Sequence, residues 1–385
     1  MVACGTDIIQ MAAALCKMAD LSALIRMSCG KRQPRIALKP NLLGPIPASE
    51  GATTHPQAAE GVISYLREQG FEDIVMMESS WVGDRTEDSL LVTGFGALCE
   101  RLNVPFFDLQ KDSAVTVDCA GMMLKICRKA LEADFLINLP VAKGHCQTGM
   151  TCALKNLKGC IPASEKRRFH RMGLHEPIGH LSAGLKQGFI LADAICPDLM
   201  FEDGGNPVPL NRLVCAVDPV LLDAYVCGKL GLDPAQVPYI RIAEECGAGS
   251  SDLLAASVTM LREDWQNKEA RYLEEADSVD TWRNEADCAL SVKEMVSDVD
   301  SCSACYGTLI PVLHKLEAEG LSFAPGEKLC IGQGWRGMSG AIGIGTCTSG
   351  FACSLPGCPP DAAAMERFLR ERMASSDQRR GCATT

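Results

Sequence analysis

The sequence predicts an α/β protein: a mostly parallel sheet flanked by helices, followed by a small C-terminal α/β unit. Strand-like and helix-like segments alternate over about the first 245 of the 385 residues, the pattern of a parallel sheet covered by helices. Asp134–Pro140 (DFLINLP) is continuously apolar, as a strand buried on both faces is. After a charged stretch, a second and shorter alternation begins at CSAC.

The elements follow in order. Arg35–Leu43 (RIALKPNLL) reads as a strand ending at Pro40-Asn41. Pro56–Gln69 places apolar residues at helical spacing and stops at Gly70, a common C-terminal glycine. Asp73–Ser79 is the next strand and Ser89–Leu102 the next helix. Strands at Asp134–Pro140, Gly188–Ile195 and Arg212–Val217 follow, then a helix from Pro219 to Leu230. Residues 1–247 are thus expected to form one α/β domain with a polar pocket. Residues 248–298, rich in Glu, Asp, Lys and Arg, read as a solvated helical connector. Residues 299–375 carry CSAC, a helix Tyr306–Glu319, strands Lys328–Ile331 and Ala341–Gly345, and a last helix from Pro360 to Met373. Residues 376–385 are expected to be a disordered tail.

Composition narrows the function classes. The net charge of -11 argues against nucleic acid, which needs a clustered basic surface. Aromatics are 5%, so the core must be aliphatic and sulfur-rich. The start MVACGTDIIQ lacks a basic n-region, so export is not expected. No run reaches the roughly 18 apolar residues that a membrane helix needs. Of the 21 cysteines, most sit singly in apolar stretches, where a thiol packs as a small hydrophobe. The expected setting is a reducing cytoplasm, in an oxygen-avoiding organism, with no membrane partner.

Four thiols stand apart: Cys302 and Cys305 in CSACYG, Cys347 in GTCT and Cys358 in PGCPP. A CxxC pair in a tight turn aims two sulfurs at one site, and an apolar-faced helix follows to anchor it. Four thiolates are what a [4Fe-4S] cluster takes; zinc is the alternative occupant. Cys330 and Cys353 lie near enough to replace one of the four. The order CxxC, GxC, PGCPP resembles the proximal-cluster motif of nickel–iron hydrogenase small subunits. The loop Gly332–Gly337 spells GxGxxG, but strand-like sequence follows it and no acid occurs before Pro360, so it reads as a cluster-side loop rather than a dinucleotide site.

In the first domain, polar residues gather at strand ends. Lys39 and Asn41 end the first strand; Thr54 and His55 follow it; Lys143 and His145 follow the apolar strand; Lys155 and Asn156 come next. Lysines, asparagines and histidines in convergence suit a small anionic ligand. His145 and Lys143 are the catalytic candidates, His145 as general acid or base. Lys39, Asn41, Thr54, His55, Lys155 and Asn156 are the substrate-binding candidates. His170, His175 and His180 recur every five residues, about 140° apart on a helix, so they form no i, i+4 metal pair. Asp193, Asp203, Asp218 and Asp223 read as strand-end and turn residues, with a divalent metal as the alternative.

KPNLL, ATTHP, INLPVAKGH, TCALKNLKGCIP and DPVLLDA together resemble the DUF362 family over about residues 35–245. The resemblance implies grouping rather than chemistry; members often carry a C-terminal iron–sulfur segment. The leading expectation is an iron–sulfur oxidoreductase acting on a small anionic molecule, with a redox partner protein. An electron-relay or maturation module, or a metal-assisted acid–base enzyme, are the alternatives.

Overall fold

The computed structural model describes residues 1–261, 268–272, 282, 295–324 and 326–375. The connector outside these ranges and the expected tail, 376–385, lie outside the described residues. The chain divides into two compact units, Met1–Ala286 and Asp287–Thr385.

The first unit contains strands β1 (Val2–Cys4), β2 (Ile36–Pro40), β3 (Ile74–Glu78), β4 (Phe106–Asp108), β5 (Ala114–Cys119), β6 (Met122–Cys127) and β7 (Phe135–Leu139). Then come β8 (Lys143–His145), β9 (Gly149–Thr151), β10 (Phe189–Ala194), β11 (Arg212–Ala216), β12 (Ser257–Leu261) and β13 (Lys268–Tyr272). Nine of them form one sheet in the order β13-β12-β1-β11-β10-β7-β2-β3-β4. The run β10-β7-β2-β3-β4 is parallel throughout, as is β12-β1. The pairs β1-β11, β10-β11 and β12-β13 are antiparallel. The sheet is therefore mostly parallel and flanked by helices, the expected α/β fold.

Central strands β2, β3, β7 and β10 are buried at every position, which is why apolar residues dominate each; Lys39, Glu78, Asn138 and Asp193 are their buried polar exceptions. Two helices, α1 (Ile8–Met18) and α2 (Leu21–Cys29), cover the sheet beside α3 (Pro56–Glu68). Their core is aliphatic with thiols, including Met11, Leu15, Cys16, Ile25, Val62 and Leu66. No single helix among the described residues is long and apolar enough to cross a membrane.

Two sequence expectations change. The single helix expected at 89–102 is two, α4 (Thr86–Thr93) and α5 (Phe95–Leu102), because Gly94 takes φ 80° between them, where only glycine is at ease. Within the stretch expected as a helical connector, the described residues Ser257–Leu261 and Lys268–Tyr272 instead form β12 and β13, with β13 at the sheet edge. An edge strand pairs on one side only and accommodates charged residues, so composition alone misreads it.

Shorter helices complete the unit: α6 (Arg128–Leu131), α7 (Ala153–Asn156), α8 (Ala163–Met172), α9 (His175–Gly184), α10 (Pro219–Lys229) and α11 (Pro238–Glu245). The second unit holds a four-stranded parallel sheet, β14 (Val296–Asp298), β15 (Leu329–Ile331), β16 (Ile342–Ile344) and β17 (Cys353–Leu355), in sequence order. Helices α12 (Ser303–Ala318) and α13 (Ala362–Arg370) pack beside it. In α12, Tyr306, Leu309, Ile310, Val312, Leu313 and Leu316 are buried.

Candidate functional sites

In the second unit every loop that matters leaves the carboxyl end of a parallel strand, where α/β sheets build their sites. After β14 the chain reaches Cys302, the N-cap of α12, and Cys305 in its first turn. After β15 comes the Gly332 loop, after β16 comes Cys347, and after β17 comes Cys358. These loops enclose a pocket of ≈ 110 Å³ lined by Cys302, Cys305, Cys347 and Cys358 together with Gln333 and Arg336. Gln333 Nε2 donates to Cys302 Sγ at 3.2 Å, and Arg336 Nε to Cys347 Sγ at 3.4 Å. Burial first, then the charge of the other three thiols, pushes the Cys305 thiol up to about 12. Cys330 lies within β15 and Cys353 opens β17 at its amino end; neither lines the pocket. The GxGxxG loop closes in a short 3₁₀ turn, Gln333–Trp335, instead of opening a helix.

In the first unit, β2 leads to β3 on one side while β7 leads to β10 on the other. The crevice at the carboxyl ends of β2 and β7 is thus the switch point where doubly wound sheets bind ligands. Asn41, just past β2, donates from Nδ2 to Asn156 Oδ1 at 2.8 Å, and Asn156 donates on to Asn138 at 2.7 Å. Thr54 Oγ1 accepts from Asn41 N at 2.8 Å and donates to Leu139 O at 2.7 Å. Lys143 Nζ reaches Asn41 Oδ1 at 3.2 Å and Glu202 O at 2.7 Å. This buried network ties β2 to β7. Lys39 stands apart: its ammonium pairs with Glu78 at 2.6 Å.

A second cluster sits at the carboxyl end of β8. His145 Nδ1 accepts from Gln147 N at 3.0 Å and Thr148 N at 3.3 Å. With Nδ1 an acceptor, the neutral ring carries its proton on Nε2, 3.5 Å from Glu202 Oε1. Burial, above all, holds its pKa well below the usual histidine range, so His145 is a neutral donor. Cys146 donates from N and Sγ to the same Glu202 carboxylate, each at 2.9 Å. Ligand atoms of His145, Cys146 and Glu202 lie within 4.8 Å of one another, a candidate metal site; an ion there displaces the Nε2 proton.

Lysines surround this cluster. Burial lowers Lys143 to about 7 and Lys155 to about 8, each acting on the acids Glu202 and Asp203. Burial, then Glu202, raises Asp203 to about 7. Lys158 Nζ lies 3.4 Å from His170 Nε2, and burial followed by Lys158 lowers His170 to about 3. Thr151 Oγ1, His175 Nδ1 and Asp203 Oδ1 are buried without a hydrogen-bond partner among the described residues. Asp203 was weighed in the sequence only as a turn or divalent-metal residue, and Glu202 was not among the sequence candidates; both come from a loop some 60 residues downstream of His145, and only the fold joins them.

His55 goes elsewhere. Its ring faces Asp193 and Cys196: Nδ1 lies 2.9 Å from Asp193 Oδ2 and Nε2 lies 3.6 Å from Cys196 Sγ. Of the other acids, Asp218 caps α10 through Val220 N and Leu221 N, and Asp223 accepts from Ala153 N and Leu154 N.

Comparison with known proteins places the chain. It is 30% identical over 227 residues to the thylakoid-associated protein sll1697 of Synechocystis sp. (strain ATCC 27184 / PCC 6803 / Kazusa), covering 55% of this chain and 68% of that protein. Among solved structures, the lactate racemase apoprotein from Thermoanaerobacterium thermosaccharolyticum aligns at a TM-score of 0.36 and 12% identity. That alignment covers 56% of this chain and 54% of the other, so the chain spans about half its length. Residues 36–228 match DUF362, a domain of unknown function, and the chain belongs to that family.

Proposed function

We propose that the protein is a [4Fe-4S] oxidoreductase acting on a small anionic molecule. The observation that carries this is the ≈ 110 Å³ pocket lined by Cys302, Cys305, Cys347 and Cys358. Four thiolates closing on one zinc at about 2.3 Å leave no space between them, whereas these four line a space that other atoms can enter. That open space supports a polyatomic cluster over zinc. When bound, such a cluster supplies or accepts one electron at a time. Gln333 and Arg336, each donating to a thiol sulfur, favour the anionic thiolates that hold it.

The substrate half of the reading rests on the first unit. Lys155 and Lys158 are only half-buried, and Thr151, His175 and Asp203 offer unfilled hydrogen-bonding capacity beside them, as a ligand site does. Lys155 and Lys158 hold an anionic group. His145 donates from Nε2, and Lys143, near neutrality in pKa, gives or takes a proton. Asn41 and Asn156 fix Lys143 rather than contacting ligand, and Lys39 and Thr54 brace the strands around them. The test is anaerobic: reduce the protein with dithionite, remove the excess, and add a panel of small carboxylates and phosphate esters. Reoxidation by one compound, slowed in Lys155→Met, supports an enzyme. Reoxidation by none of them, with rapid exchange of electrons to a ferredoxin, overturns it in favour of a relay.

The candidate metal site favours one other reading, a metal-assisted acid–base enzyme with the ion on His145, Cys146 and Glu202. A stoichiometric divalent metal besides iron, lost in Glu202→Gln, supports that reading.

A further inference from the structure

We propose that Cys196, His55 and Asp193 form a nucleophilic thiol triad that transfers acyl groups. This centre is separate from the thiol pocket and from the His145 cluster, and nothing in the reading above uses it.

The geometry is that of a nucleophile, a base and a residue that orients the base. Cys196 Sγ faces His55 Nε2 at 3.6 Å, and His55 Nδ1 faces Asp193 Oδ2 at 2.9 Å. Asp193 is 2% exposed and held rigidly, accepting from His55 N at 2.7 Å and from Ile195 N at 3.0 Å. Its carboxylate accepts a hydrogen bond from Nδ1–H, which leaves Nε2 turned to sulfur. Asp193 is the last residue but one of β10, Cys196 lies two residues past its end, and His55 is the N-cap of the 13-residue helix α3. All three stand at the carboxyl end of the parallel sheet. Cys196 is half-buried and the His55 side chain 15% exposed, so a small reagent reaches them. Burial alone would lower His55, but Asp193 and then Cys196 outweigh it and raise the ring to about 10. The ring is therefore a strong base toward the Sγ proton. Sγ also approaches Ala48 O at 3.5 Å, a contact it gives up when the proton moves to Nε2.

The step balances without a redox partner. The Sγ proton moves to His55 Nε2; the thiolate electron pair forms an S–C bond to the carbonyl carbon of an ester or thioester. The bond to the leaving group breaks, and the leaving oxygen or sulfur takes the proton from Nε2. Water, losing a proton to Nε2, then releases the acid and restores the thiol. Asp193 is a positioning residue, since it acts through His55.

The chain contains its own comparison. Cys246 Sγ lies 3.5 Å from His180 Nδ1, but that nitrogen also faces Cys119 O at 2.8 Å rather than a carboxylate. The experiment treats the full-length protein with p-nitrophenyl acetate at about pH 7, follows p-nitrophenolate release, and maps the acetyl group by peptide mass spectrometry. The expected result is a burst near one equivalent per chain, with acetyl on Cys196 and not on Cys246. Cys196→Ser abolishes the burst. His55→Gln slows it at least tenfold, and the gap closes at about pH 10, where a free thiol ionises unaided. Asp193→Asn, which keeps the side-chain size, gives an intermediate rate, and near-ultraviolet circular dichroism confirms the fold of each variant. Acetylation spread evenly over exposed thiols, or a Cys196 rate unchanged in a folded His55→Gln, overturns the proposal.

Discussion

Lys39 and Glu78 meet at 2.6 Å with neither side chain reaching solvent. Gly159 packs over them so closely that a Cβ there would lie 1.7 Å from Glu78 Oε1. The pair therefore bridges β2, β3 and the loop after α7, and it is more costly to break than to replace. Lys39→Met strands a buried carboxylate and should destabilise the first unit by about 3–5 kcal/mol, with Glu78→Leu added in the same chain recovering most of the loss. Urea denaturation of the two variants checks this; equal midpoints for single and double variants would contradict it. At His55 the sign follows from a folded pKa of about 10 against about 6.5 unfolded. The folded state binds the proton more tightly, so the pair's contribution is full below about pH 6.5 and is lost as pH rises through about 10. Denaturation at several pH values should show His55→Gln less stable by about 1–3 kcal/mol near pH 6 and level with the parent above pH 10.

At the scale of elements, α10 starts because Asp218 accepts from Val220 N and Leu221 N, and the same carboxylate holds Ser250 N at 2.9 Å. Asp218→Ala should cost about 1–2 kcal/mol, read as a lowered thermal midpoint, whereas Asp218→Asn should cost less. Strands β2, β3, β7, β10 and β11 were legible because each is a short apolar run between turn residues, and α3 because Pro56 opens it and Gly70 follows it. Strand β1 was not, since three residues give no period. Nor were β12 and β13: their pairing is written in the backbone, while the charges of β13 and of the sequence around it read as helix. The four pocket thiols were legible because CxxC and GCPP are local signals. The grouping of His145, Cys146 and Glu202, and of His55, Asp193 and Cys196, was not, because each partner is unremarkable until the sheet brings strand ends together.

For the whole molecule, each of the two units has its own candidate site. The first has a polar crevice at the switch point of a mostly parallel sheet, and the second a thiol-lined pocket at the carboxyl ends of a small parallel sheet. Both obey the same geometric rule, and the function turns on what fills the second. The direct measurement is iron and acid-labile sulfide content after anaerobic purification, with electron paramagnetic resonance before and after dithionite. About four irons and four sulfides per chain, with a signal that appears on reduction and is lost in Cys302→Ala and in Cys358→Ala, is the predicted result. Zinc near one equivalent with no iron, or iron that survives both substitutions, would contradict it.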